Sequence, residues 1–242
     1  MSYFKGFPLT SYKFGNEVQD TAFRNLNLYV DVIDQIKDNI SFYNFYTIRD
    51  GDRPDNVSQS LYGSPRFYWT FYLMNDHIRE QGWPLTNYQL QQKALEIYPY
   101  FTLTTTDAIP SSFDIGQTVT GLTSNAVGTV VDKRMDFGQI VVELTTSTEF
   151  LSTEIITSPG DNGLETATLS AAVVQYNAIH HYEDADGNWV DVDPFVGVAG
   201  LNVAVTNLEY ITAQNETLKQ IKVIKPGSIN NVNRAFNSSL RL

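Results

Sequence analysis

The residues best equipped for chemistry in this 242-residue chain are three histidines and a set of carboxylates. His180 and His181 stand beside Glu183, Asp184 and Asp186, a grouping that offers nitrogen and oxygen ligands to a metal ion. Neighbouring residues on a strand point to opposite faces, so the two imidazoles are expected to diverge and no metal is expected. The stretch "DADGN" (184–188) opens like a calcium loop. It lacks a third acidic residue before the glycine, and Pro194 or Phe195 falls where the closing glutamate belongs. A hairpin turn at Asp186-Gly187 is the simpler account. His77 is expected in a loop, away from the other two, so no Ser-His-Asp triad stands out. Carboxylate pairs occur without a hydrolase setting, and neither phosphate-loop pattern is present. The chain has no cysteine, which removes thiolate ligands, disulfides and a cysteine nucleophile. The expectation is a non-enzyme without cofactor, metal or small-molecule substrate. A hydrolase sited in the β-rich middle is the alternative.

Binding chemistry is better represented. Six aromatics fall between Tyr62 and Tyr72 in "YGSPRFYWTFY". Trp69, Trp83 and Trp189, with the many tyrosines, suit a sugar platform, a protein interface or plain core packing. The elements that must position them are legible locally. "SFYNFYTI" (41–48) is aromatic and β-branched and predicts a strand. "RDGD" turns the chain. Pro54 fits the first turn of a helix, Val57 and Leu61 share one of its faces, and Gly63 suits a left-handed cap. Ser64 and Pro65 open a second helix that runs to Asn75. A third is predicted from Asn87, closed by Pro99. The second helix, "SPRFYWTFYLMN", is apolar all round. A small module cannot cover all those rings, so some must meet other parts of the chain or another chain.

Before this region, residues 1–16 read as an extended arm. Phe23, Leu26, Tyr29, Val30, Ile33, Ile36 and Ile40 then recur at three-and-four spacing and predict an amphipathic helix over 22–40. After Pro99, "QTVTGL", "GTVVDK", "QIVVEL" and "TEIITS" predict four or five short strands closing a small barrel of SH3 size. "AVVQYNAIHHYEDADGNWVDVDPF" predicts a hairpin. Leu208, Ile211, Leu218 and Ile221 share a helical stripe with Asn215, as in an internal helix or one strand of an intermolecular bundle.

Net charge is −11, which disfavours a phosphate backbone as partner. No run approaches the ~20 apolar residues needed to span a bilayer, and no export signal is visible, so neither nucleic acid nor membrane is an expected partner.

The order strand, Gly-Asp turn, helix ending in Tyr-Gly and helix ending in Asn-Asp resembles a LysM module. Tyr46, Thr47, Ile48, Gly51, Asp52, Val57, Leu61, Tyr62, Gly63 and Asn75 carry the likeness. LysM modules bind N-acetylglucosamine polymers such as peptidoglycan and chitin, and that is the alternative function. A wider likeness runs through "DGDRPDNVSQSLYGSPRFYWTFYLMNDHIREQGWPLT", "HHYEDADGNWVDVDP" and "NETLKQIKVIKP". These stretches, over 20–98 and about 175–230, resemble the baseplate wedge protein 53 family of contractile-tailed, T-even-type bacteriophages. The insert at 113–157 resembles a small β module of other phage structural proteins. The resemblance implies a structural virion protein of the tail baseplate, assembled in the host cytoplasm. It would join neighbouring wedges to each other and to hub proteins in a six-fold ring. The residues expected to form or support the interface are Tyr62, Phe67, Tyr68, Trp69, Phe71 and Trp83, with Leu208, Ile211 and Leu218 as a second candidate contact.

The expected fold is therefore α+β. It comprises an arm and helix (1–40), a LysM-like βααβ module (41–98), an inserted SH3-like barrel (99–174), a hairpin (175–198) and a C-terminal helix and tail (199–242).

Overall fold

The computed structural model describes residues 9–16, 18–24, 36–106, 109, 112–160, 163–193 and 202–239. In chain order the elements are β1 (Leu9–Tyr12), β2 (Thr21–Arg24), β3 (Tyr43–Thr47), α1 (Pro54–Tyr62), α2 (Trp69–Met74), α3 (Asp76–Gln81) and α4 (Asn87–Ile97). Then come β4 (Phe101–Thr105), β5 (Thr118–Gly121), β6 (Val127–Arg134), β7 (Gln139–Leu144), β8 (Ile155–Gly160) and β9 (Gly163–Val174). The chain ends with β10 (Ile179–Glu183), β11 (Trp189–Val190), β12 (Val203–Thr206), α5 (Asn207–Thr217), β13 (Gln220–Ile224) and α6 (Ile229–Ser239). The architecture is α+β, in two compact units: Met1–Thr86 with Asn215–Leu242, and Asn87–Gln214.

In the first unit β3 pairs with β13, antiparallel, from Tyr43↔Ile224 to Thr47↔Gln220. Helix α1 starts with Pro54 in its first turn, where the missing N–H is harmless, and ends at Gly63 (φ 68°). The Ser64 hydroxyl then accepts from Arg66 N, Pro65 opens a short 3-10 turn, and α2 follows. Two apolar clusters fill this unit. One joins Met74 of α2 to Ile224, Ile229, Val232 and Phe236; the other joins Val57 and Phe71 to Ile48, Ile78, Leu218, Ile221 and Val223.

In the second unit six strands pair in the closed order β4-β7-β6-β5-β8-β9, with β9 returning to β4. Alternation turns Phe101 and Leu103, Ile140 and Val142, and Ala167 and Leu169 into one interior with Val130 and Ile156. Where Gly121 of β5 passes the loop, an added Cβ would lie within 2.7 Å of the Glu154 carboxylate and the Ser124 hydroxyl. That carboxylate is buried and accepts from the N–H groups of Thr123, Ser124 and Leu151 and from the Ser124 hydroxyl. Beyond the barrel, β10 is the middle strand of a three-stranded sheet between β11 and β12.

Three expectations need correction. The helix predicted from Ala22 is not there at its start: Thr21–Arg24 is a strand, paired with Leu9–Tyr12 from Leu9↔Arg24 to Tyr12↔Thr21. Spacing within one segment cannot register a partner strand that lies before it. Residues 25–35 of that predicted helix lie outside the described residues, and Ile36 and Lys37 are helical. The predicted stripe from Leu208 to Ile221 is not one helix. It stops at Thr217, Leu218 N and Lys219 N close the turn on Asn215 O and Glu216 O, and Ile221 enters β13. Extended chain wins there because Ile48 N donates to Lys219 O (2.8 Å) and β3 supplies the ladder. His77 lies in α3, not in a loop.

Candidate functional site

The aromatic segment is held by a turn and a strand. Asp52 organises the turn: its carboxylate accepts from Arg49 N and from the Tyr46 hydroxyl, both at 3.0 Å. Trp83 closes over it, donating Nε1–H to Asp52 O at 2.7 Å while its ring meets Phe71 and Tyr72. Burial, then the bond to Asp52, pushes the Tyr46 phenol above its ordinary range. Tyr62 donates to Ile224 O at 2.9 Å, and burial pushes its phenol up further.

At the end of α2, Asn75 does the work of a missing strand. Its amide donates to Phe71 O and Lys222 O, and its oxygen accepts from Lys222 N at 2.7 Å. At Lys222 the outer edge of β13 is thereby satisfied by one side chain, where a third strand would otherwise pair. Asn215 repeats the device on Leu85, accepting from its N–H (2.8 Å) and donating to its C=O (3.0 Å). This replaces the register-setting role in an intermolecular bundle: the amide is consumed within the chain.

The predicted interface residues therefore sort by exposure. Phe71 is 0% exposed, and Leu218 and Ile211 are also buried, so none of these three presents a surface of its own. Tyr62, Phe67 and Trp69 are partly buried against α6 and its neighbours, with the Trp69 ring tilted against Phe236 at 4.6 Å. Trp83 is partly buried over the turn, and Leu208 lines a small cleft with Ala94, Leu95 and Tyr176. Tyr68 alone of the nine is open to solvent, at 41%. The all-round apolar character of the second helix is explained by other parts of this same chain.

Tyr68 and Trp189 apart, sequence reasoning did not single out the exposed rings. Tyr12, Phe14 and Phe23 cluster on one face of the β1–β2 hairpin, with centroids 5.0, 6.4 and 6.2 Å apart. Tyr12 is 56% and Phe14 51% exposed. Phe45 stands 61% exposed on the β3–β13 sheet, edge-on to Tyr43. The available signal was "LTSYKF", Gly15-Asn16 and "TAFR": two short β-prone runs about a turn, overridden by the longer helical spacing.

The two histidines also depart from expectation. They do not diverge: their Nδ1 atoms are 2.8 Å apart. The β10–β12 register slips between Ile179 and His181, leaving His180 as the extra residue of a bulge, and simple alternation fails there. His181 Nε2 meets Glu183 Oε1 at 2.9 Å. With that carboxylate ionised, His181 donates from Nε2 and its Nδ1 accepts from His180 Nδ1–H. Burial, then the neighbouring His181 and Arg134, lower the His180 pKa. Among the described residues no three of His, Asp and Glu are grouped to hold a metal ion. Asp184 is occupied by its own turn, accepting from Asp186 N and Asn188 N at 2.9 Å.

A family model described as base plate wedge protein 53 matches residues 10–111. The match spans the hairpin, β3, helices α1 to α4 and β4. No curated protein matches the chain. Among the described residues no helix is long and apolar enough to cross a membrane.

Proposed function

We propose, from the premise that the chain belongs through residues 10–111 to the base plate wedge protein 53 family, that it joins neighbouring wedges around the hub of a phage tail baseplate. The family implies a structural component of the virion tail that associates with other baseplate proteins. The observation that carries the finer reading is the exposed Tyr12–Phe14–Phe23 cluster, inside the family match and on a hairpin whose rings no described residue covers. Aromatic rings dominate binding energy at protein interfaces when a partner desolvates them. Phe45 and Tyr68 extend the same kind of surface. Partly buried rings such as Trp69 and Phe67 act behind it, by fixing α2.

Support for a LysM-like reading of this unit comes from the order β3, α1, α2 and an antiparallel closing strand, β13. In that reading everything between α2 and β13 is one long insertion, and its six-stranded ring is the SH3-like part. The docking use of the fold is preferred to sugar binding because its surface rings sit on the hairpin and sheet, while the α2 rings are spent on packing. Assembly as six copies in the host cytoplasm follows from the same role.

The test is co-purification of the full chain with wedge and hub proteins of the same phage, resolved by size exclusion and electron microscopy. Phe14→Ser with Tyr12→Ser is expected to abolish ring incorporation while leaving the melting temperature unchanged. Normal rings from that variant, or saturable binding to insoluble cell wall competed by chitin oligosaccharides, would overturn the reading.

A further inference from the structure

Away from the rings, one polar cavity in the second unit is built unlike the rest of the molecule. It has a volume of about 200 Å³ on the outer face of the barrel. Register explains its floor. Phe101 and Leu103 point into the barrel, so Thr102 between them points out; likewise Gln139 and Val141 flank the inward Ile140. Cross-strand pairing sets Thr102 beside Val141 and Val141 beside Asp132, with Gln139 beside Arg134 in the next row. Asn207, at the start of α5, and Gln175 and His180 cover this floor.

Three polar atoms in this lining have no hydrogen-bond partner among the described residues: Thr102 Oγ1, Gln139 Oε1 and Asn207 Oδ1. Their residues are 0%, 1% and 2% exposed. The orientation of Asn207 is pinned, because its Nδ2 donates to Gln175 O at 2.7 Å and its oxygen must face elsewhere. A buried polar atom left unpaired is costly, so three of them on residues that line one cavity argue for an occupant. Two of the three are amide oxygens, which only accept, and the third is a hydroxyl. The occupant must therefore donate hydrogen bonds.

Charge narrows the class. The Arg134 guanidinium lines the same cavity, fixed by donating to Ile179 O (2.9 Å) and His180 O (2.8 Å), and it opposes a cation. The amide oxygens and the Asp132 carboxylate oppose an anion. A neutral donor meets neither objection. Arg134 and Gln175 bring N–H groups for acceptors on the same molecule, while Tyr98 and Val141 offer apolar surface to C–H groups. At ~30 Å³ per water the space holds about seven waters, or one sugar ring.

We propose that this cavity binds a small neutral polyhydroxylated molecule, one sugar ring in size, through Thr102, Gln139 and Asn207. The cavity residues and the assembly rings belong to different units, and neither claim depends on the other. The experiment uses the full-length protein with D-glucose, D-galactose, N-acetylglucosamine and glycerol as probes, followed by saturation-transfer NMR and calorimetry. Saturable millimolar binding of at least one probe is expected, weakened about tenfold in Thr102→Val, the loss of one hydrogen bond. Gln139→Met is expected to weaken it similarly, and Phe45→Ser in the other unit to leave it unchanged. Thr102→Val is close to isosteric, so its melting temperature shows that the fold is intact. Failure of every probe at high millimolar concentration, binding unaltered by both cavity variants, or a crystal soaked in the probes that holds ordered water only, would overturn the proposal.

Discussion

The two units reach closure by different routes. The barrel is made from one continuous stretch, β4 to β9, in which β5–β6, β6–β7 and β8–β9 pair as sequence neighbours and β4–β7, β5–β8 and β4–β9 close the ring, all within that stretch. The other unit is open until the far end of the chain returns. Asn75 reaches 147 residues along the sequence to Lys222, and Trp69 rests on Phe236. The difference teaches where stability and surface reside. Rings of α2 become core because β13 and α6 arrive, and the hairpin rings, equally apolar, stay at the surface because nothing among the described residues covers them.

Deleting residues 220–242 should break the comparison most severely. The first unit would lose β13 and α6, and with them both apolar clusters. Circular dichroism and tryptophan fluorescence are expected to show that unit unfolded while the barrel keeps its own cooperative melt; loss of both transitions together would mean that the barrel depends on the other unit. Phe71→Ala comes next, with an expected loss of about 3–5 kcal/mol by denaturant titration, the usual cost of emptying a fully buried ring. Asn75→Ala leaves the Lys222 N–H and C=O without their side-chain partner, at about 1–3 kcal/mol for each group that water does not reach.

The barrel is expected to answer to acid instead. Burial alone would raise the Glu154 pKa, but bonds from Ser124, Leu151 and Thr123 outweigh it and hold the carboxyl below its ordinary value. A depressed folded-state pKa means stability that is complete above the ordinary 4.5 and is lost as pH falls through the folded value. Glu154→Gln should lower barrel stability by about 1–3 kcal/mol at neutral pH and flatten its loss in acid, read as melting temperature against pH. The smallest stability effect belongs to the hairpin. Phe14→Ser is expected to stay within about 0.5 kcal/mol of the parent, even as it removes a ring from the assembly surface.

Local chemistry made much of this legible. Pro54, Gly63, Ser64 and Pro65 mark their helix ends because caps depend only on near neighbours. The strands "QTVTGL", "GTVVDK", "QIVVEL" and "TEIITS" were readable for the same reason, whereas β4 and the long β9 went uncounted, so the ring has six strands where four or five were expected. The hairpin was misread because its pairing is stronger than the helical spacing that starts at Phe23. His180 and His181 were misplaced because one bulge defeats alternation. Among the candidate site residues, chemical type was visible and exposure was not: Phe71 and Phe14 are the same residue in similar company.

What the sequence determined alone is the inventory: an aromatic-rich, cysteine-free α+β chain with its turns and caps marked, and the motifs that point to a baseplate wedge protein. The tertiary structure alone decided which rings are spent on packing, that β13 and not a nearby strand closes the first sheet, and that Thr102, Gln139 and Asn207 line one cavity. The physical reason is range. Caps, turns and alternation are set by residues a few positions apart, whereas burial and polar satisfaction depend on partners that only the folded chain brings together.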